Sequence, residues 1–116
     1  MSKILIIEDN EMNMKLMKDI LSSQNYEVTT AQDGQQGLDI ANEQEFDLIL
    51  LDIQMPVVSG YDFLKLYNKK TPVIVVSACA MDNEIQKATE LGCAGYIAKP
   101  IQIMDFLNTV KSAINA

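Results

Sequence analysis

Short runs of aliphatic residues alternate along this chain with longer stretches in which apolar residues recur at helical spacing. Four of the runs are continuous, at residues 4–7, 48–51, 73–76 and 96–98. Continuous aliphatic runs of this length are typical of strands in a parallel sheet that helices cover on both faces. A further strand is expected at about 27–30. The pattern predicts five strand–helix units with right-handed crossovers, an α/β fold.

The stretches between the strands predict amphipathic helices. The third is expected to be short, about Tyr61 to Tyr67, and the fourth to run from about Asn83 to Leu91 and end at Gly92. The apolar positions that recur at helical spacing in the other three helices are Leu16, Met17, Ile20 and Leu21, then Leu38, Ile40 and Ala41, and finally Ile103, Leu107, Val110 and Ile114.

A polar residue follows each continuous run directly. These residues are Glu8 and Asp9, then Asp52, Ser77 and Lys99. Because the strands of a parallel sheet end at the same edge, where open α/β sheets bind ligands, we expect one site there. Three converging carboxylates repel one another by about 4 kcal/mol per pair at about 4 Å, which one lysine does not offset. A hard divalent cation that binds oxygen ligands, such as Mg²⁺, would offset this repulsion.

A metal at this edge would attract a phosphoryl group, whose oxygens Lys99 and Ser77 could hold. In the doubly wound order 2-1-3-4-5 the first and third strand ends lie side by side, and Asp52 becomes the natural nucleophile for a carboxyl-phosphate intermediate. The plain alternative is that an aspartate at a strand end is a turn or helix cap. Polar residues at four strand ends that meet at one edge argue against this alternative.

The composition argues against several classes of function. The 116 residues include 16 acidic and nine basic side chains, for a net charge of −7, which argues against a nucleic-acid partner. No apolar run approaches the roughly 18 residues of a membrane span, and nothing at the N-terminus resembles a signal peptide. The absence of histidine excludes Ser/His/Asp and Cys/His catalysis. Cys79 and Cys93 are expected to be reduced thiols in a cytoplasmic protein, and Lys69-Lys70 to be a solvated helix end.

These motifs together resemble the response-regulator receiver domain of two-component signalling, over the whole chain. The matching segments are Glu8-Asp9, Leu51-Asp52-Ile53-Gln54-Met55-Pro56, Gly60, Ser77-Ala78 and Tyr96-Ile97-Ala98-Lys99-Pro100. The resemblance implies one receiver domain over residues 1–116, with a five-stranded parallel sheet of order 2-1-3-4-5 in the doubly wound, flavodoxin-like arrangement.

The resemblance also implies a role for each residue of the site. Asp52 would accept a phosphoryl group from a phosphohistidine of a histidine kinase or phosphotransferase. Asp9 and Asp52 would bind Mg²⁺, or Mn²⁺, directly, Glu8 through water and Gln54 through its backbone carbonyl. Lys99 would contact Asp52 and then the phosphoryl oxygens. The peptide bond that follows it, to proline, would be cis.

Two further residues are expected to act as a switch. On phosphorylation Ser77 would move towards the phosphoryl group and Tyr96 would rotate inward. The surface formed by the fourth helix, fifth strand and fifth helix would then shift between two packings. By this resemblance the protein is not a conventional enzyme, although it catalyses its own phosphorylation and dephosphorylation.

Partner contacts are expected near the mouth of the site. Met12, Asn13 and Met14 either pack at the boundary of the core or form an adaptable docking surface for a partner helix. Pro100 and Ile101 are expected to belong to the same docking surface. Met104, in the last helix, is expected to pack against the core.

The segment from Glu8 to Leu16, with Ala80-Met81 and Lys99-Pro100-Ile101, is similar to DivK-like single-domain regulators of bacterial cell-cycle control. Output is expected through a downstream protein target. A receiver excised from a hybrid histidine kinase is one alternative. Another is a Mg²⁺-dependent phosphatase with an aspartyl-phosphate intermediate, similar to haloacid dehalogenases. Such an enzyme would use Asp9 and Glu11 and would leave Asp52 and Lys99 unexplained.

Overall fold

The computed structural model describes residues 2–53, 59–78 and 82–115, and strands and helices alternate along them. The strands are β1 (Lys3–Ile7), β2 (Glu27–Ala31), β3 (Leu48–Asp52), β4 (Val73–Ser77) and β5 (Gly95–Ala98). The helices are α1 (Glu11–Ser23), α2 (Gly34–Glu43), α3 (Gly60–Leu66), α4 (Asp82–Glu90) and α5 (Ile103–Asn115). Each predicted element is present, including a third helix of only seven residues.

The strands form one parallel sheet in the order β2-β1-β3-β4-β5. The register places Ile7 of β1 opposite Leu51 of β3, and Ser77 of β4 opposite Ala98 of β5. The strands therefore end side by side at one edge. The predicted fold class and strand order are confirmed.

Helices cover both faces of the sheet. On one face α1 and α5 enclose a core in which Met17, Leu21, Phe106 and Val110 are buried against alternate residues of the strands. On the other face α2, α3 and α4 enclose a second core. Because the central strands have no solvated face, apolar residues are required at successive positions, and this explains the continuous aliphatic runs.

Side-chain caps begin three of the helices. Asn10 accepts a hydrogen bond from the Asn13 amide at the start of α1, and Asp33 and Ser59 do the same for α2 and α3. The cap of α1 is therefore Asn10, and the adjacent Asp9 carboxylate is left for other contacts. At the other end of α4, Gly92 has a φ of 102°, as expected for a C-terminal glycine.

Some predicted core positions prove to be exposed. Leu16 and Ile103 share the apolar stripes of their helices but lie at the surface, and Phe106 is fully buried instead. The prediction that Met104 packs against the core is wrong, because its side chain is 69% exposed. Ile103 and Met104 occupy the first turn of α5, at the edge where the strands stop and leave little surface to cover them.

The prediction of a solvated helix end at Lys69-Lys70 is wrong for Lys69. Its Nζ donates to the Ala41 carbonyl at 2.9 Å and lies 3.2 Å from a carboxylate oxygen of Glu45. Ala41 lies in the last turn of α2, where carbonyl groups lack partners within the helix and favour a positive charge. Lys69 therefore caps α2 from the loop that follows α3.

Among the described helices none has the length and apolar character needed to cross a bilayer.

Candidate functional site

The sheet brings the predicted site residues to one edge. Asp52 and Ser77 are the last residues of β3 and β4, and Glu8 and Lys99 come directly after β1 and β5. The Lys99 amide donates to the Ser77 carbonyl at 2.9 Å, which holds the end of β5 against β4. The four strand ends that the sequence singled out are therefore adjacent in space.

Three carboxylates form a cluster at this edge. One oxygen from each of Glu8, Asp9 and Asp52 lies within 4.8 Å of the other two. Glu8 and Asp52 are buried, whereas Asp9 is exposed. The cluster is thus enclosed on the protein side and open to solvent beside Asp9, which leaves a route for a ligand.

Lys99 binds Glu8 more closely than it binds Asp52. Its Nζ lies 2.6 Å from Glu8 Oε1 and 3.7 Å from Asp52 Oδ2, so only the first distance is a hydrogen bond. The expected contact to Asp52 is present as a longer ion pair. Glutamate carries one methylene more than aspartate, and this extra length lets its carboxylate reach the lysine.

The cluster is suited to a divalent cation. Three carboxylates and one ammonium leave two negative charges at the edge of the sheet. Glu8 Oε2 is buried and has no hydrogen-bond partner among the residues that the structure describes, and an unsatisfied buried carboxylate oxygen is costly. Mg²⁺ and Mn²⁺ prefer hard oxygen ligands, so the residues present fit the predicted metal.

The remaining predicted residues occupy varied positions. Ser77 is fully buried beside the cluster, and Tyr96 is half-buried and packs against the core under α2, α3 and α4. The Lys99–Pro100 peptide bond is cis, as expected. Gln54, expected to offer a backbone carbonyl, lies outside the described residues.

Gly60 has a steric role that its place in the motif did not explain. Its amide donates to the Ile53 carbonyl at 3.0 Å, which returns the chain to the end of β3. A Cβ atom at this position would lie 2.6 Å from the Asp52 carbonyl oxygen and from Ile53 Cα. Both contacts are to backbone, so any side chain here would displace the segment that carries Asp52.

We therefore expect Gly60→Ala to lower the free energy of unfolding by about 1–3 kcal/mol, as overpacking against rigid neighbours does. Gly95→Ala is the matched control, because the nearest atom to its added Cβ would be Ile74 Cγ1 at 3.6 Å. Chemical denaturation of both variants measures the effect. Equal stability of the two variants would contradict a steric requirement at Gly60.

The five predicted docking residues differ in exposure. Met12 is 82% exposed and Pro100 is exposed, whereas Met14 and Ile101 are partly buried against the core under α1 and α5. Asn13 is half-buried. Met14 therefore packs at the boundary of the core, whereas Met12 does not, and docking by Met12 stays a prediction. Exposed apolar residues nearby that the docking prediction did not include are Leu16, Ile103 and Met104.

The described cysteine, Cys93, is a half-buried free thiol. Burial raises the pKa of this thiol above its usual value, which favours the unreactive protonated form. Cys79 lies outside the described residues. Neither observation connects Cys93 with the carboxylate cluster.

Fold and site define the class of the protein. A family model for the response regulator receiver domain matches residues 4–111. The chain belongs to this family.

Particular relatives resemble it along almost their whole length. The polar-differentiation response regulator DivK of Brucella anthropi is 41% identical over 114 residues, which cover 94% of this chain and 93% of that protein. DivK of Brucella ovis shows the same identity and coverage. The predicted resemblance to DivK-like regulators is confirmed.

Solved structures share the fold closely. The chemotaxis protein CheY4 of Vibrio cholerae superposes with a TM-score of 0.92 at 29% identity, covering 97% of this chain and 98% of that one. The receiver domain of the sensor histidine kinase PA1611 from Pseudomonas aeruginosa superposes with a TM-score of 0.90 at 28% identity, over 99% and 98% of the two chains. That structure has a magnesium ion coordinated in its active-site cleft.

Proposed function

We propose that this protein is a single-domain response regulator that accepts a phosphoryl group on Asp52 from a phosphohistidine of a histidine kinase or phosphotransferase. The observation that carries the proposal is the position of Asp52. It is buried at the end of a central strand, within 4.8 Å of two further carboxylates and 3.7 Å from the Lys99 ammonium. Family membership supports the same chemistry.

In the proposed reaction an Asp52 carboxylate oxygen attacks phosphorus. The new O–P bond forms as the P–N bond to the donor imidazole breaks, and the bonding electron pair remains on the imidazole nitrogen. Lys99 and the Ser77 hydroxyl would hold the phosphoryl oxygens. To do so the Lys99 ammonium must turn from Glu8, which is 2.6 Å away, towards Asp52, which is 3.7 Å away.

Asp9 and Asp52 would bind Mg²⁺ or Mn²⁺ directly, Glu8 would act through water, and the backbone carbonyl of Gln54 would supply a further ligand. When bound, the metal supplies positive charge that neutralises the acidic cluster and the phosphoryl oxygens. The fully buried Glu8 is already hydrogen-bonded to Lys99, so its contribution to metal binding depends on the position of the Lys99 ammonium.

The output of this regulator would be a protein contact. Ser77, buried beside the cluster, and Tyr96, half-buried on β5, are the residues through which phosphorylation would alter the surface formed by α4, β5 and α5. The similarity to the polar-differentiation response regulator DivK supports a role in polar-differentiation signalling. We propose that the protein acts in bacterial cell-cycle control in the cytoplasm. The net charge of −7 is unfavourable for nucleic-acid partners, and neither a nucleic acid nor a membrane is part of the proposal.

Mapping of the modified residue tests the proposal. After incubation with Mg²⁺ and a small acyl-phosphate donor, we expect phosphate on Asp52 alone, with the hydroxylamine sensitivity of an acyl phosphate. Phosphate on Ser77 or Asp9 would contradict the assignment.

The family match favours this function over the phosphatase alternative. A phosphatase would turn over an exogenous phosphomonoester repeatedly, whereas a response regulator would not. The similarity to the PA1611 receiver shows that receivers within sensor kinases share the fold, and the acceptor chemistry on Asp52 would be the same in either context.

Docking can be separated from chemistry at Met12. Its exposed side chain would contact a partner helix, so Met12→Lys should slow phosphotransfer from a protein donor by about fivefold to tenfold. Phosphorylation by a small donor should be unchanged, because that route needs only the carboxylate cluster, Ser77 and Lys99. Phosphotransfer kinetics with both donors measure the difference.

The matched control is Leu66→Lys, which adds the same charge at another exposed apolar residue, on α3 across the sheet. It should leave both routes unchanged. Equal loss of both routes in Met12→Lys would show that Met12 supports the fold and does not contact a partner.

A further inference from the structure

α4 buries little of its own surface. Among its residues only Ala88 is buried, whereas α1 and α5 each bury three larger side chains. Leu91, just beyond the helix, adds a half-buried contact to the same core. Because an alanine contributes little apolar area, other contacts must determine how firmly α4 is held against the rest of the domain.

Tyr61 supplies such contacts from α3. Its hydroxyl forms a hydrogen bond with the carboxylate of Glu84 in the first turn of α4. The Nζ of Lys87, almost one turn further along, lies over the Tyr61 ring at 4.1 Å from its centroid, in cation–π geometry. We call these three residues the Tyr61 cluster.

The Tyr61 cluster is connected to the proposed phosphorylation site through the backbone. Tyr61 follows Gly60 directly, and the Gly60 amide is bonded to the Ile53 carbonyl, one residue after Asp52. The Gly60 backbone also packs closely against the Asp52 carbonyl, since an added Cβ would lie only 2.6 Å from that oxygen. The start of α3, which carries Tyr61, is therefore tied to the end of β3.

α4 is connected to the proposed phosphorylation site through the end of β4. Its first residue, Asp82, comes five positions after Ser77, the proposed switch residue at the end of β4. A movement of Ser77 would therefore be passed along a short piece of chain to α4, while the Tyr61 cluster holds α4 to the end of β3. The two connections act on one helix with few buried residues.

We propose that the Tyr61 cluster holds α4 in its unphosphorylated position and so sets how readily phosphorylation of Asp52 changes the surface that includes α4. This inference rests on the proposed phosphorylation of Asp52. A contact that exists only in the unphosphorylated packing lowers its free energy relative to the phosphorylated packing. Loss of the contact therefore favours the phosphorylated packing.

The first experiment compares hydrogen exchange of α4 in the unphosphorylated protein. Tyr61→Phe keeps the ring under Lys87 but removes the hydroxyl, and Tyr61→Leu removes both contacts. We expect residues 82–90 to exchange faster by about threefold to tenfold in Tyr61→Phe, as expected for loss of one hydrogen bond, and at least as fast in Tyr61→Leu. The control Tyr26→Phe makes the same chemical change in the core under α1 and α5. Unchanged exchange of α4 in both Tyr61 variants would overturn the proposal.

The second experiment measures binding of beryllofluoride, a phosphoryl analogue, in the presence of Mg²⁺. Tyr61→Phe and Glu84→Ala, which remove the donor and the acceptor of the hydrogen bond, should each bind it about threefold to tenfold more tightly than the wild-type protein. A purely structural role of Tyr61 predicts equal or weaker binding, so that result would also overturn the proposal. Failure of the wild-type protein to bind beryllofluoride would instead count against phosphorylation of Asp52, and the exchange of α4 would still decide whether the Tyr61 cluster holds the helix.

Discussion

Asp52→Asn should abolish phosphorylation by a small acyl-phosphate donor and leave the fold intact. The amide lacks the anionic oxygen that attacks phosphorus, so no acyl phosphate can form at this position. The substitution preserves shape at a buried site and removes one of three mutually repelling carboxylates, so the metal-free protein should be at least as stable as the wild type. Intact-mass measurement and thermal unfolding test the two expectations together.

Asp39→Asn is the matched control, since Asp39 is an exposed carboxylate on α2, away from the site. It should be phosphorylated like the wild-type protein. Phosphate that persists in Asp52→Asn, on Ser77 or on Asp9, would show that the acceptor has been misassigned. An unfolded Asp52→Asn protein would show that the carboxylate serves the structure.

Lys99→Met should destabilise the metal-free protein by about 3 kcal/mol. The substitution leaves the fully buried Glu8 carboxylate without its ammonium partner, and removal of one member of a buried ion pair leaves an uncompensated charge. Methionine preserves most of the side-chain length, so lost packing contributes little. Chemical denaturation in the presence of a metal chelator measures the change.

Two further variants test whether the loss of stability in Lys99→Met comes from charge or from packing. Glu8→Gln combined with Lys99→Met should regain much of the lost stability, because the amide at position 8 is neutral and the fully buried charge of Glu8 is gone. Lys15→Met removes the lysine of the exposed pair with Asp19 and should hardly change stability, as is usual for surface ion pairs. If the double variant were as unstable as Lys99→Met, the Lys99 side chain would matter for packing rather than charge.

The strand ends show which features of the fold and of the candidate site can be predicted from the sequence alone. Continuous aliphatic runs predicted the parallel strands, and the residues that follow them predicted the meeting of Glu8, Asp9, Asp52, Ser77 and Lys99. This succeeded because parallel topology brings every strand end to one edge, whatever the details of packing. The glycine that ends α4 was also predicted, by the local rule for helix C-termini.

Side-chain partners required the tertiary structure. The sequence predicted that Lys99 contacts Asp52, but the closer partner is Glu8, because the reach of each side chain decides between two carboxylates only once the strands are in register. Lys69 was predicted to be solvated, yet it caps α2 from a distant part of the chain. No pattern within a helix indicates such a contact.

The sequence by itself determined the fold class, the strand order through family resemblance, and the edge of the sheet at which the candidate site lies. These depend on periodicity and on the order of the elements along the chain. Only the tertiary structure decided that Met12 is exposed while Met14 packs against the core, and that Tyr61 joins α3 to α4. Such facts depend on how each helix is rotated against the sheet and on distances between residues far apart in the chain, and neither quantity is encoded in spacing along the sequence.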